Sequence, residues 1–297
     1  MTDFIHKVTH EDEGLELREI MREHFDFSSR LRNKIKRNKL VMLNGVQTPG
    51  WIKPSVGDVI SITLPEERSN FEPQPIPLYP VFEDDDLMVI NKQPGLIVHP
   101  TKGHPTGTVA NALMHYMEQT GRHFKIRFVN RLDMDTSGLL VIAKNQYCQN
   151  DYTLQMKKNL VEKRYIAIVK GLVEAEEGTI DLPIGRPDPD NVRRGVMDGG
   201  SPSVTHYKVL QRFTKQPYSL VELLLETGRT HQIRVHMSHI GHPVLGDWLY
   251  RGENVNLIER QALHAARLSF THPITGEKMM LEAPLPDDMK KAIQRLE

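Results

Sequence analysis

The sequence predicts an α+β protein with a mostly antiparallel sheet, preceded by a small N-terminal unit. Three observations carry this reading. Strand-like and helix-like segments alternate irregularly beyond residue 81, without the βαβ rhythm of a parallel sheet. Neither a GxGxxG nor a GxxxxGKS/T phosphate loop occurs. A proline-rich stretch at residues 65–77 separates a short basic segment from a long remainder. At 297 residues the chain exceeds what one hydrophobic core usually organises. The units are therefore placed at residues 1–64 and 81–297, with 65–80 as an extended linker.

In the first unit, residues 28–53 carry Arg30, Arg32, Lys34, Lys36, Arg37, Lys39 and Lys53 without an acidic residue. Ser28 or Ser29 caps a helix that sets Leu31 and Ile35 on one face, with Arg30, Lys34 and Arg37 as a basic stripe. Residues 40–43 then lead into the hairpin signal Asn44-Gly45, and a Gly57-Asp58 turn precedes a strand at 59–62. In the second unit, residues 87–91, 139–143, 165–169 and 219–225 read as strands, and 108–117 and 146–159 as helices.

Composition narrows the setting. Basic and acidic residues number 38 each, giving no net charge. That balance excludes little, because phosphate is bound by the local field and the basic stripe is local. The single cysteine, Cys148, has no internal disulfide partner. Residues 1–7 lack the apolar core of a signal peptide, and no stretch approaches the roughly 20 apolar residues that span a bilayer. A reducing cytoplasm, no membrane association, and a monomer without an obligate protein partner are expected.

Two segments concentrate the chemistry. Asn130-Arg131-Leu132-Asp133-Met134-Asp135-Thr136-Ser137-Gly138 sets a carboxylate in a polar turn ahead of a buried strand. Local bonds from Asp, Thr and Ser side chains to the backbone are expected to fix that turn. Gly228-Arg229-Thr230-His231-Gln232-Ile233-Arg234-Val235-His236 follows about a hundred residues on. His231, His236, His239 and His242 cluster in sequence, but without HExxH or a cysteine pair no metal is expected. Asp133 with Asp135 as a glycosidase-like pair is a rival reading. A Ser-His-Asp hydrolase is weaker, since Thr136-Ser137-Gly138 lacks the GxSxG elbow.

Together the two segments resemble the RluA/RluD family of RNA pseudouridine synthases, whose signatures read His-Arg-Leu-Asp-x-x-Thr-Ser-Gly and Gly-Arg-Thr-His-Gln-Ile-Arg. The resemblance extends to Asn91-Lys92-Gln93-Pro94-Gly95, Lys163-Arg164-Tyr165, Gly241-His242-Pro243-Val244-Leu245-Gly246-Asp247 and Leu263-His264-Ala265. It covers residues 81–290. Asn130 stands where His is usual, and Gln93 replaces the first proline of Lys-Pro-Pro-Gly. The N-terminal unit resembles the S4-like RNA-binding domain that often precedes such enzymes, with Arg30, Arg32, Lys34, Lys36, Arg37 and Lys39 as its RNA contacts.

The resemblance implies a mixed, mostly antiparallel sheet with flanking helices, an α/β S4-like N-terminal domain, and isomerisation of specific uridines in structured RNA, ribosomal ahead of transfer RNA, to pseudouridine with no cofactor. It implies Asp133 as the catalytic carboxylate, Arg234 as the cation that keeps it ionised, and Tyr165 as the ring that stacks on uracil, with its hydroxyl available to assist removal of the C5 proton. Arg131, Arg229, His231 and Leu263 are the implied substrate contacts. Arg131 has two open readings: a filler for the space vacated by a flipped base, or a salt bridge to Asp135. A non-catalytic RNA-binding module is the remaining alternative.

Overall fold

The computed structural model describes residues 3–65, 67–188, 190–252 and 256–297. The first unit is a sheet of four antiparallel strands in the order Asp3–Lys7, Val59–Thr63, Val41–Leu43, Val46–Gln47. Asn44 and Gly45 take φ of +52° and +78°, the double left-handed geometry that an Asn-Gly hairpin requires. Ser28 caps the basic helix Ser29–Arg37 by accepting from the Leu31 amide at 3.3 Å. That helix and Leu17–His24 bury Leu17, Ile20, Leu31 and Ile35 against Ile60 and Ile62. The opening strand has no counterpart in the sequence reading, because its alternating residues are at most half-buried.

The basic stripe is not uniform. Arg30, Lys36, Arg37 and Lys39 are exposed, whereas Lys34 turns inward to Glu67 at 3.1 Å and Arg32 donates to the Phe27 carbonyl at 2.6 Å. Glu67 also pairs with buried Arg127 of the large unit. Among the described residues the linker forms no helix or strand before Pro80 opens strand Pro80–Glu83, as its prolines favour, but it is tied down. The Ile126 amide donates to Ser69 Oγ at 2.9 Å, Asn111 Nδ2 to the Glu72 carbonyl at 2.8 Å, and Gln93 Nε2 to the Pro77 carbonyl at 2.9 Å. Phe71, Ile76 and Leu78 pack on the core.

The large unit is built on a mixed sheet of ten strands among the described residues. Strand Leu87–Lys92 shows why its apolar run is unbroken. Met88 and Ile90 face a core shared with helix Val109–Thr120, while Leu87 and Val89 face Cys148 and Tyr152 of helix Gln146–Lys157. Both faces are buried, so the residues from Leu87 to Ile90 are apolar without a break rather than at every second position. The predicted strands and helices stand where the pattern put them, with Thr108 and Asn145 as N-caps. Strands Pro80–Glu83, Arg127–Phe128, Glu177–Asp181, Val204–Phe213, Leu263–Thr271 and Lys278–Glu282 supply the rest of the ten, and helices Gln232–His239 and Asp287–Leu296 stand among the further elements. Among the described residues no helix is long and apolar enough to cross a membrane.

Candidate active site

Asp133 lies just before strand Ser137–Ala143, whose Ser137 and Gly138 pair in parallel with His264 and Ala265. The other pairings described in this sheet are antiparallel. At that junction Gly138 adopts φ +111°, and a Cβ there would lie 2.3 Å from the Ala265 carbonyl oxygen. Only glycine permits this approach, which accounts for the last residue of the motif.

The turn is not held by its own side chains, contrary to the sequence reading. Two buried cations from distant segments take its carbonyls. Lys92 Nζ donates to Met134 at 2.8 Å and to Gln93 and Leu96 at 2.9 Å each. Arg260 Nη1 donates to the Asp135 carbonyl at 2.9 Å. Burial lowers the Lys92 ammonium to about 7, against the opposing pull of Asp135 and Asp133. Ser137 Oγ bonds His264 Nδ1 at 2.9 Å, inside the protein. Asn130, the departure from the usual His, accepts from the Val141 amide at 2.8 Å and donates to the Leu139 carbonyl at 3.2 Å. Its carboxamide thus substitutes for a neighbouring strand.

The second motif is anchored by buried Gln232. Its Oε1 accepts from Thr227 Oγ1 at 2.8 Å and the Arg229 amide at 3.0 Å, and its Nε2 donates to the Val204 carbonyl at 2.9 Å. His231, at φ +58°, starts helix Gln232–His239. One turn in, Arg234 is buried and clamped by Asp247, with Nε to Oδ2 at 2.6 Å and Nη2 to Oδ1 at 2.9 Å. Its remaining Nη1 reaches Asp133 Oδ2 at 3.0 Å. Burial disfavours the guanidinium charge, but the bonds to Asp247 and Asp133 more than offset this and raise Arg234 above its ordinary range. His231 Nε2 lies 3.8 Å from the same Asp133 oxygen. Tyr250 Oη accepts from the Arg194 amide at 2.9 Å and bonds His231 Nδ1 at 3.0 Å. Tyr250 Oη, already an acceptor from Arg194, can donate its own proton to Nδ1, an arrangement in which the imidazole proton faces Asp133 from Nε2.

Asp133, His231 and Arg234 line a cavity of about 950 Å³ that also holds Tyr165 and exposed Arg131. Burial, then Asp133, pushes the Tyr165 phenol well above its usual range, so it is neutral. Arg229 and Leu263 line a recess of about 50 Å³ shared with Asp133 and Tyr165. The structure thus brings together all seven catalytic and substrate-contact residues that the sequence singled out. The Arg131–Asp135 salt bridge is absent among the described residues. The four neighbouring histidines diverge: His236 bonds Thr205 and the Leu182 carbonyl, and His242 the Lys170 carbonyl.

A family model described as RNA pseudouridylate synthase matches residues 86–239. The chain belongs to this family. It is an RNA pseudouridine synthase, an isomerase that makes pseudouridine from uridine in RNA. The uncharacterised RNA pseudouridine synthase YlyB of Bacillus subtilis is 44% identical, across 86% of this chain and 85% of its own. Ribosomal large subunit pseudouridine synthase D of Haemophilus ducreyi is 40% identical, across 95% and 91%. Among solved structures, human RNA pseudouridylate synthase domain containing 1 superposes with a TM-score of 0.57 at 27% identity, over 74% of this synthase and 94% of that chain.

Sequence reasoning assigned no role to Lys92, Asp247, Tyr250 or Arg260. The first two lie in segments that carry the family resemblance and were legible as positions without a task. Arg260 lies in no motif, and only the fold reveals it.

Proposed function

We propose that this synthase isomerises uridines in folded ribosomal RNA of the large subunit, with Asp133 as the catalytic carboxylate. The observation that carries the reading is the Arg234 guanidinium, locked by Asp247 and bonded to Asp133, in one cavity with Tyr165. A uridine stacked in RNA hides its C1′, so the nucleotide is flipped out at a cost of a few kcal/mol. Arg131, exposed and without a salt bridge to Asp135, is suited to stack in the vacated place. Asp133 then attacks the sugar or base, or stabilises the cationic sugar, as the N1–C1′ bond breaks. The base turns, C5 bonds to C1′, and the proton lost from C5 is balanced by one gained at N1.

A neutral phenol is a poor proton acceptor, so Tyr165 is assigned stacking on uracil rather than C5 deprotonation. The exposed cations Arg30, Lys36, Arg37 and Lys39 hold phosphates, giving the unit at 1–64 the role of an S4-like RNA-binding domain. We assign the cytoplasm as its compartment and a monomer as its state. The test is pseudouridine mapping across total RNA from cells with and without the protein, complemented by wild type or Asp133→Asn. A large-subunit site that disappears, and returns only with wild type, is expected. Restoration by Asp133→Asn would remove Asp133 from the mechanism.

A further inference from the structure

The cavity rim carries an aromatic surface that the isomerisation itself does not use. Trp248 is 65% exposed and Val192 61% exposed, and both line the cavity that holds Asp133 and Tyr165. An indole left in water forgoes the burial of one of the largest apolar side chains. Its backbone, by contrast, is pinned. Trp248 opens the short 3-10 turn Trp248–Tyr250, capped by buried Asp247, whose carboxylate accepts from the Leu249 amide at 3.1 Å. The far end, Tyr250, is buried and fixed by Arg194 and His231. Cations surround the opening. Arg193 is exposed, with its guanidinium 5.4 Å from the Tyr250 ring centre, and exposed Arg131 and Arg229 line the cavity and its adjoining recess.

Building on the RNA reading above, we propose that Trp248, with Val192 on the same rim, is the stacking face for the base of a nucleotide flanking the target uridine. A nucleobase is the occupant that fits. It offers a flat apolar face to the indole, its phosphates meet the guanidinium groups, and it is covalently tied to the uridine entering the cavity next door. Stacking accepts every base, since each has a π-face. The face therefore selects for a flanking nucleotide that is unpaired, and not for its identity. It acts on binding and not on the chemical step, because the ring lies outside the Asp133–Arg234–Asp247 chain of bonds.

The test is single-turnover pseudouridine formation on an unmodified large-subunit ribosomal RNA transcript by wild type, Trp248→Ala and Trp248→Phe. Trp248→Ala is expected to raise the half-saturating enzyme concentration about tenfold, the lower range of a lost base stack, at an unchanged plateau rate. Trp248→Phe, which keeps an aromatic face, should stay within about threefold of wild type. Half-saturation within twofold of wild type for Trp248→Ala would overturn the proposal. So would a loss confined to the plateau rate, which would instead implicate the Asp247 clamp. Failure of wild type itself to modify the transcript would strike the isomerase assignment. Filter retention of the same transcript by wild type and Trp248→Ala would then still decide the stacking question.

Discussion

Asp247→Asn should separate the holding of Arg234 from the chemistry assigned to Asp133. Asp247 is fully buried and makes two of the three ion-pair bonds of Arg234, at 2.6 and 2.9 Å. Removing one member of a buried pair costs about 3–5 kcal/mol. Arg234 keeps Asp133 as a counter-charge at 3.0 Å, so the lower end applies, about 3 kcal/mol. At about 2–4 °C per kcal/mol for a chain of this size, the melting temperature should fall by about 6–12 °C. A guanidinium free to turn also misplaces Asp133, and displacement of that order costs about 10²-fold in rate. Asp133→Asn is the contrasting variant. It removes a carboxylate with 18% side-chain exposure and leaves both Asp247 bonds intact, so stability should change by less than about 1 kcal/mol while activity disappears. Thermal melting reads the first quantity, and tritium release from 5-tritiated uridine in RNA reads the second. The reasoning fails if Asp247→Asn melts like wild type, or if Asp133→Asn melts as low as Asp247→Asn.

Three further outcomes are expected. Gly138→Ala combines a left-handed φ with a backbone overlap at 2.3 Å, and should lower stability by at least about 3 kcal/mol; an unshifted melting curve would show that the parallel junction yields. Burial lowers His264 below its ordinary value, so as pH drops beneath about 6.5 the unfolded chain takes up a proton that the folded chain refuses. The stability present above that pH is lost on acidification, and urea unfolding of His264→Asn should show a shallower decline; parallel curves from pH 7 to 5 would contradict this. Replacing Arg30, Lys36, Arg37 and Lys39 together by alanine should reduce the salt dependence of RNA binding by about 0.7 per lost single-strand contact, whereas Lys34→Ala, which breaks a bond to Glu67, should leave the slope unchanged. Filter binding across a salt series distinguishes the two, and equal slopes for all three proteins would remove the helix from the RNA interface.

The fold was legible where burial on both faces wrote a continuous apolar run, as from Leu87 to Ile90 and from Leu139 to Ala143, and where a cap preceded a helix, as Asn145 does. It was illegible where tertiary contacts outweigh pattern. Strand Val204–Phe213 mixes exposed Lys208 and Gln211 with buried Thr205 and Val209 and bulges in between, so no clean period of two survives. Lys34 looked like part of a solvent-facing stripe because helical spacing cannot show that a linker carboxylate lies opposite. The site divides the same way. Gly138 and Gln232 stand in their motifs for reasons of backbone geometry that one sequence does not state. The pairing of Asp133 with Arg234, 101 residues apart, came from family resemblance and not from any periodicity.

The turn that carries Asp133 is aimed by one device used twice. Arg234 and Arg260 are each gripped along the Nε–Nη2 edge by an aspartate, Asp247 and Asp288, with bonds of 2.6 and 2.9 Å in both cases. A bidentate grip fixes the plane of a guanidinium and leaves Nη1 pointing in one direction. For Arg234 that direction is the Asp133 carboxylate at 3.0 Å; for Arg260 it is the Asp135 and Gln261 carbonyls, each at 2.9 Å. One clamp therefore sets the Asp133 side chain and the other the backbone that carries it, with Lys92 holding the Met134 carbonyl between them. The two grips differ in exposure, since the Asp247 side chain is wholly buried and that of Asp288 is 39% exposed. Solvent screens the second pair far more than the first. The division of labour follows: the side chain that must stay charged is held by the clamp that water does not reach, and the carbonyl, which needs only a hydrogen bond, by the clamp that water does.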